Sequence, residues 1–318
     1  MNPVAAERVA APVQVLAVDG AGISLSTADE VVLDVTFEGR RIWSFWLLRD
    51  SAEVRTGSGR GERRIDWPSS LHRFLDGETR LGVVEHLSGR VVYDEHTRFG
   101  AGTGRIAIVN EAGNPLGIDK SGRMAQTFDT RTSEHVAPLL DSIEEVLRAL
   151  AEAGVEAFPA YGTLLGAVRE GRLIGHDSDA DLGYVSRHQH PYDVIRESFA
   201  IQRRLAAAGY PITRYSGAAF KVDVVEGDGS VRGLDVFGGF LSEDHLYLMG
   251  EVGQSFRREW IFPLGSCTLE GRTLPAPAEP GRMLAAMYGE GWQVPDPAFC
   301  FETPGSTVRR LNGWFRGT

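Results

Sequence analysis

The chain has 318 residues, a formal net charge of −10, 42% hydrophobic residues and 24% charged residues. This composition excludes a disordered chain, and the length is enough for about two domains. The acidic balance argues against a broad surface for nucleic acid or anionic membranes, so we expect neither as a partner.

Targeting and redox features are sparse. The densest apolar run, residues 42–48, is far shorter than the roughly 20 residues that span a bilayer, so no membrane span is predicted. The N-terminus carries Glu7 and Arg8, and its apolar stretch is interrupted, which is not the pattern of a secretion signal. Cys267 and Cys300 match no metal-binding spacing, so we expect reduced thiols in a cytoplasmic protein.

Residues 1–125 are predicted to form a β-rich, sandwich-like accessory domain. Apolar and β-branched runs, separated by Gly, Asp and Ser clusters, predict strands in this part. They occupy residues 13–18, 31–37, 41–49, 81–84 and 105–109. Pro68 favours one short helix from Trp67 to Leu75, because proline suits the first turn of a helix.

Residues 126–318 have a different pattern, and the polar stretch 119–134 marks the junction. Apolar residues at three- and four-residue steps from Val136 to Leu150 predict an amphipathic helix that stops at Gly154. The remaining predicted elements are strands near 157–160 and at 181–186, 219–226 and 231–238, and helices at 162–170 and 191–208. We therefore predict an α+β chain whose second domain is α/β in character.

Three aspartates, Asp177, Asp179 and Asp181, alternate within the segment YGTLLGAVREGRLIGHDSDADLGY. In an extended strand these residues share a face, so their carboxylates would converge. Like charges so close repel unless a cation lies between them, and Mg²⁺ or Mn²⁺ prefers such oxygen ligands. A solvated acidic loop is the alternative. A calcium loop is excluded, because the required glycine and glutamate are missing from its sixth and twelfth positions.

Residues around the aspartates could contact phosphate groups. Gly162 and Gly166 bracket the start of a predicted helix, whose N-terminal amides could bind a phosphate. Arg169 and Arg172 follow, and local ion pairs with the aspartates are the alternative for both. Lys221 lies on a later strand and could also contact phosphate, with a solvated position as its alternative.

The order and spacing of Leu165-Gly166-Ala167 and Asp179-Ala180-Asp181-Leu182 resemble the paired glycine and DhDh elements of nucleotidyltransferase folds. Such sites take a third carboxylate from a neighbouring strand, for which Asp223 and Asp235 are available. A two-residue turn at Asp228-Gly229 would point these two to opposite faces, and a three-residue turn would point them to the same face. We favour Asp235.

Three motifs of the second half resemble the LicD/fukutin-related family. The segment Tyr161–Tyr184 is similar to the core motif of the family, and LDVF at Leu234–Phe237 is similar to its hDIFP element. IFPLGSCTLEGRTLPAPAEPGRMLAAMYGEGW resembles its C-terminal motif. The resemblance covers residues 135–298 and implies a nucleotidyltransferase-like catalytic domain within residues 126–318.

The resemblance also implies a reaction and a set of site residues. The family transfers a phospho-alcohol, such as phosphocholine or ribitol phosphate, from a CDP-linked donor to a sugar hydroxyl of a glycan or glycolipid, and releases CMP. Carried over by motif, Asp179, Asp181 and Asp235 would be catalytic and would bind Mg²⁺ or Mn²⁺, with Asp177 as a fourth candidate ligand. Gly166 and Arg169 would lie at the donor phosphates, and we add to this phosphate-binding set Gly162, Thr163 and Lys221.

Other functions fit parts of the same pattern. An NTP-using nucleotidyltransferase would release pyrophosphate instead of CMP. A glycosyltransferase with a DxD metal site fits less well, because the half before the motif is β-rich. A decayed module that binds a glycan or a metal is disfavoured, because Asp179, Asp181 and Asp235 are all present.

Overall fold

A computed structural model describes residues 13–26, 29–54, 62–120, 122–131, 133–225, 231–248 and 252–299. These residues form a mixed α/β structure with two compact units. The first unit extends to Thr130 and includes Pro295–Phe299, and the second runs from Arg131 to Val294. Within the described ranges, every helix is too short or too polar to cross a lipid bilayer.

The first unit consists mainly of strands. Its elements are β1 (Gln14–Val18), β2 (Gly22–Ser26), β3 (Val32–Phe37), β4 (Arg40–Trp46), α1 (Leu47–Asp50), β5 (Ala52–Val54), β6 (Glu62–Asp66), β7 (Gly77–Glu85), β8 (Val91–Phe99), β9 (Gly117–Ile118) and β10 (Met124–Ala125). Two four-stranded antiparallel sheets have the orders β1-β2-β6-β5 and β4-β3-β7-β8. A β-rich N-terminal region was expected, and the structure has one.

One hydrophobic core is shared by these two sheets. Ile23 and Leu25 of β2 and Leu33 and Val35 of β3 are fully buried in it. Their two-residue spacing is the strand period, which directs alternate side chains to the same face. Burying each such side chain contributes about 1.5–3 kcal/mol, so this core stabilises the first unit.

Two predicted elements of the first unit are wrong. The helix expected from Trp67 to Leu75 is only a 3₁₀ turn at His72–Phe74. Trp67 is buried, and its backbone and indole N–H groups donate to the carbonyls of Ala21 and Asp19 at 3.0 and 2.8 Å, so the chain is tied to the β1–β2 turn before a helix can start. Residues 105–109 form only isolated bridges instead of a strand.

The second unit combines one large sheet with helices. Its elements are α2 (Ser133–Glu152), β11 (Ala157–Pro159), α3 (Tyr161–Arg169), β12 (Asp181–Ser186), α4 (Pro191–Ala207), β13 (Ile212–Arg214), β14 (Ala219–Val225), β15 (Val231–Ser242), β16 (His245–Leu248), β17 (Val252–Ser255), β18 (Gly265–Leu269), β19 (Arg272–Ala276) and α5 (Pro280–Tyr288). The sheet has the order β11-β12-β15-β14-β13, with β16 added to β15 and β17 to β16. In it β12 and β15 are parallel, and the other pairs are antiparallel.

Local signals predicted the helices of this unit closely. Helix α2 is confirmed, and its stop at Gly154 is explained by a backbone φ of 85°, which glycine adopts without strain. Helix α4 starts at Pro191, and the ring of His190 accepts a hydrogen bond from the Tyr192 amide at 3.2 Å. His190 therefore has a capping role at this helix.

A short segment near residue 300 packs with the first unit, and the domain boundaries 1–125 and 126–318 stay a prediction. Pro295–Phe299 belongs to the first unit, because the indole N–H of Trp46 donates to Asp296 at 2.8 Å and Arg49 donates to the Ala298 carbonyl at 2.7 Å. Such polar contacts join residues about 250 positions apart, which local sequence patterns do not report.

Candidate functional site

Strand pairing brings the predicted acidic residues together. In the parallel β12–β15 pair, Asp181 lies directly beside Asp235. Asp179 precedes the strand by two residues, and one carboxylate oxygen from each of the three lies within 4.8 Å of the others. We call Asp179, Asp181 and Asp235 the acidic cluster. Asp181 is buried, whereas Asp179 and Asp235 are half-buried, so the cluster has a closed side and an open side.

The geometry around Asp177 differs from the predicted one. The strand begins only at Asp181, and the amide of Asp177 donates to the Ile174 carbonyl at 3.0 Å in a turn. The alternation expected of an extended strand therefore does not apply to Asp177. Its buried carboxylate lies against Gly162, and within the described ranges it is not one of the three that converge.

Gly162 and Gly166 are required by packing in the helix α3. A Cβ on Gly162 would lie 2.1 Å from Oδ2 of Asp177, and one on Gly166 would lie 2.3 Å from the Arg172 carbonyl oxygen. A carboxylate near a helix N-terminus is favoured by the helix dipole, so Asp177 occupies the region where we predicted a phosphate. The assignment of both glycines to donor phosphates stays a prediction.

Thr163 connects α3 to the acidic cluster. Its buried side-chain oxygen Oγ1 accepts a hydrogen bond from the backbone N–H of Asp181 at 2.9 Å. This contact holds the first residue of β12 against the first turn of α3. The structure therefore gives Thr163 a role in positioning Asp181, and its predicted contact with phosphate stays a prediction.

Arg169 and Arg172 have a carboxylate partner outside the acidic cluster. The guanidinium of Arg169 donates to Oε1 of Glu170 at 2.8 Å, and that of Arg172 donates to Oε2 of Glu170 at 3.2 Å. Arg169 also donates to the Trp292 carbonyl at 3.5 Å. The alternative of ion pairs between these arginines and the aspartates is therefore wrong, because their carboxylate partner is Glu170. Contact of Arg169 with donor phosphates stays a prediction.

The register of β14 and β15 distinguishes the two candidates for the third carboxylate. Lys221 lies opposite Asp235, and Asp223 lies opposite Gly233. Asp223 and Asp235 therefore share a face, as the three-residue-turn alternative required. Asp235 is beside Asp181, whereas Asp223 lies further along the neighbouring strand. The predicted turn at Asp228-Gly229 itself lies outside the described residues.

Lys221 and Tyr215 both approach Asp235. The Nζ atom of Lys221 is 3.9 Å from Oδ1 of Asp235, and the hydroxyl of Tyr215 donates to the same oxygen at 3.1 Å. A hydrogen bond with Tyr215, together with the charge of Asp235, raises the pKa of Lys221 above its ordinary value. The ammonium also lies 5.6 Å from the Tyr215 ring centre, within reach of a cation–π interaction.

Tyr215 and Arg131 contribute to the site but were not among the predicted residues. Tyr215 lies just after β13 and reaches the cluster only because β13 pairs with β14. Arg131 donates to the Ser178 carbonyl at 3.2 Å, so it holds the loop that carries Asp179. Neither residue belongs to a motif. The one signal for Tyr215 is its proximity in sequence to Lys221.

The donor set of the acidic cluster fits a hard divalent cation. Three carboxylates supply oxygen ligands, which Mg²⁺ and Mn²⁺ prefer, and no sulfur or imidazole ligand belongs to the cluster. Three negative charges within 4.8 Å also repel one another, so a cation between them would relieve the repulsion.

Comparison with known families agrees with this geometry. Residues 154–279 match the model of the LicD/FKTN/FKRP nucleotidyltransferase domain. A search of curated proteins finds no match. The matched segment contains the whole acidic cluster and every element from β11 to β19. Family membership implies a transferase with phosphotransferase-type activity on glycans. Residues 154–279 of this chain therefore form a domain of the LicD/FKTN/FKRP family.

Proposed function

We propose that the protein transfers a phospho-alcohol from a CDP-linked donor to a sugar hydroxyl of a glycan or glycolipid and releases CMP. The convergence of Asp179, Asp181 and Asp235 within 4.8 Å carries this proposal. The match of residues 154–279 to a nucleotidyltransferase domain supports it and supports a nucleotidyltransferase-like fold for the second unit. Phosphocholine and ribitol phosphate are the groups we would test first.

The acidic cluster would hold Mg²⁺ or Mn²⁺ in this reaction. When bound, such an ion neutralises charge on the diphosphate of the donor. Asp181 would be the most rigid ligand, because its side chain is buried and its amide is bound by Thr163. Asp179 lies on the loop held by Arg131, which limits its movement.

Bond changes in the proposed transfer are simple. An acceptor oxygen forms a bond to the distal phosphorus of the donor, and the bond from that phosphorus to the bridging oxygen of CMP breaks. The acceptor proton passes to a carboxylate of the acidic cluster, for which the half-buried Asp235 is our first choice. Lys221, 3.9 Å from Asp235, would offset negative charge on the phosphoryl oxygens. We propose positioning and charge neutralisation as the main sources of rate enhancement.

The test compares two aspartates on the same face of neighbouring strands. Asp235→Asn removes a cluster carboxylate, whereas Asp223→Asn removes a carboxylate that is outside the cluster. CMP release from CDP-choline and CDP-ribitol, in the presence of Mg²⁺ or Mn²⁺, should fall at least about a hundredfold in Asp235→Asn and in Asp179→Asn. Asp223→Asn should stay within about threefold of the wild type. Wild-type turnover by Asp179→Asn would refute the proposed site.

A second candidate is an NTP-using nucleotidyltransferase, which the description of the matching domain favours. Such an enzyme would attack the α-phosphate and release pyrophosphate. Thermal melting with Mg²⁺ or Mn²⁺ separates the two functions, because a ligand that binds the native state raises the melting temperature. Stabilisation by CDP, lost in Asp179→Asn, supports the CDP-linked donor. Stabilisation by ATP alone supports the second candidate.

A further inference from the structure

Arg214, the last residue of β13, lies between two aromatic rings. The central carbon of its guanidinium is 4.0 Å from the ring centre of Phe199 on α4 and 5.3 Å from that of Phe220 on β14. Guanidinium groups are attracted to the faces of aromatic rings, so both rings favour this position of the side chain. Arg214 is also directly opposite the fully buried Phe220 in the strand register, which places it on the buried face of the sheet.

Hydrogen bonds join Arg214 to helix α4. Its Nε atom donates to Oε1 of Gln202 at 2.7 Å, its Nη1 atom donates to Oγ of Ser198 at 3.2 Å, and its Nη2 atom donates to the Ser198 carbonyl at 3.2 Å. Ser198 and Gln202 are four residues apart, so they lie on the same side of α4. The helix therefore fixes both the position and the orientation of the guanidinium.

The same guanidinium holds the β13–β14 connection, residues 215–218. Its Nη1 atom donates to the carbonyls of Ser216 and Gly217 at 2.9 and 3.1 Å. A charged donor binds a carbonyl more strongly than a neutral one does. Arg214 thus ties the connection to α4, and Tyr215 is the first residue of this connection.

Tyr215 reaches the acidic cluster on the other face of the sheet. Phe220 and Lys221 are neighbours on β14 and point to opposite faces. Arg214 is opposite the first of them, and Asp235 is opposite the second. The Tyr215 hydroxyl donates to Oδ1 of Asp235 at 3.1 Å. Because Tyr215 is half-exposed, a displacement of the β13–β14 connection would move this hydroxyl away from Asp235.

We propose that Arg214 is a positioning residue for the metal ligand Asp235. It anchors the β13–β14 connection to α4 and thereby keeps the Tyr215 hydroxyl on Oδ1 of Asp235. Hydrogen-bond partners of a metal ligand orient it and raise its affinity for the ion, and Arg214 acts one contact further out. This inference rests on the proposed function, because it takes Asp235 as a metal ligand.

Titration of Mn²⁺ followed by electron paramagnetic resonance tests the proposal on the full chain without a donor or an acceptor. Arg214→Lys keeps the positive charge but loses the planar arrangement of N–H donors that reaches α4 and the connection together. We expect the Mn²⁺ dissociation constant to rise about threefold, because the Tyr215 hydroxyl is then less often on Asp235. The rise should be smaller than that in Tyr215→Phe, which removes the hydroxyl altogether.

A double-mutant cycle distinguishes positioning from a general loss of stability. If Arg214 acts through Tyr215, Arg214→Lys should leave the Mn²⁺ constant unchanged in a Tyr215→Phe background. Gln202→Ala is a milder second variant, which removes the hydrogen bond to Nε and should raise the constant about twofold when Tyr215 is present. Arg204→Lys is the matched control with an expected wild-type constant, because Arg204 also lies on α4 and donates to a backbone carbonyl, that of Ala153.

Several results would overturn the proposal. A folded Arg214→Lys chain that binds Mn²⁺ as the wild type does removes the positioning role, and the proposed transfer would still stand. The same rise in the Tyr215→Phe background, or in Arg204→Lys, would attribute the effect to a general loss of stability. If Arg214→Lys does not fold, an unchanged constant in Gln202→Ala overturns the proposal. The expected cycle in a chain that releases no CMP from CDP-linked donors would refute the transfer and keep the role of Arg214.

Discussion

Removing the hydroxyl of Tyr215 should weaken metal binding at the acidic cluster. In Tyr215→Phe the ring beside Lys221 is kept, but Oδ1 of Asp235 loses a hydrogen bond of 3.1 Å. Lys221 also loses its partner and, already 3.9 Å from the same oxygen, is free to move towards Asp235 and compete with a cation. Partners that orient a metal ligand commonly contribute to metal affinity in this way.

The size of the effect follows from the exposure of Tyr215. A hydrogen bond to a charged group contributes about 1.5–3 kcal/mol when it is well shielded. Tyr215 is 49% exposed, so solvent reduces this value, and we take about 1 kcal/mol. That energy corresponds to about a fivefold increase in the Mn²⁺ dissociation constant.

Titration of Mn²⁺ followed by electron paramagnetic resonance measures this constant without any substrate. Tyr192→Phe is the matched control, because Tyr192 is 56% exposed and its ring also lies near a cation, Arg196, at 5.8 Å. Unchanged or tighter Mn²⁺ binding by Tyr215→Phe would refute the positioning role of Tyr215. A wild-type chain that binds no Mn²⁺ would refute the acidic cluster as a site for this ion.

Two further predictions concern stability. Gly166→Ala should destabilise the chain by about 2 kcal/mol in urea, because the clash of the new Cβ with the Arg172 carbonyl outweighs the gain of about 1 kcal/mol in helix propensity. Burial alone would raise the pKa of Asp34, but hydrogen bonds from His86 and Ser44 outweigh it and hold that pKa below its ordinary value of 3.8. The ionised carboxylate of Asp34 stabilises the folded chain fully at pH values above its ordinary pKa. This stabilisation is lost as the pH falls through the lower pKa that Asp34 has in the folded chain. Asp34→Asn should therefore flatten the decrease in urea midpoint between about pH 6 and pH 2.

Control measurements distinguish these two predicted changes in stability from a nonspecific loss of stability caused by any substitution. Gly281 also lies in a helix, but its Cβ would meet only Trp292 at an ordinary 3.6 Å, so Gly281→Ala should be neutral or slightly stabilising. A loss in Gly281→Ala equal to that in Gly166→Ala would contradict the packing argument. For Asp34→Asn, a pH dependence parallel to that of the wild type would contradict the role of Asp34.

Elements defined by local patterns were predictable from the sequence. The apolar period of α2, the proline at the start of α4 and the strand at residues 181–186 appear in the structure with bounds within a few residues. These features depend on neighbours along the chain, so periodicity and capping residues report them. The motif around Asp179 and Asp181 also pointed to the correct family.

Features that depend on pairing between distant segments needed the tertiary structure. The parallel β12–β15 pair places Asp235 beside Asp181, whereas the sequence alone left Asp223 as an alternative. Tyr215 reaches the acidic cluster through the β13–β14 pair, and Asp177 turns away from it to pack on Gly162. A shift of one residue in strand register reverses the face of every side chain, and register is set by contacts across the sheet. The amino-acid sequence therefore determined which residues are available for chemistry, and the packing of the sheet decided which of them meet.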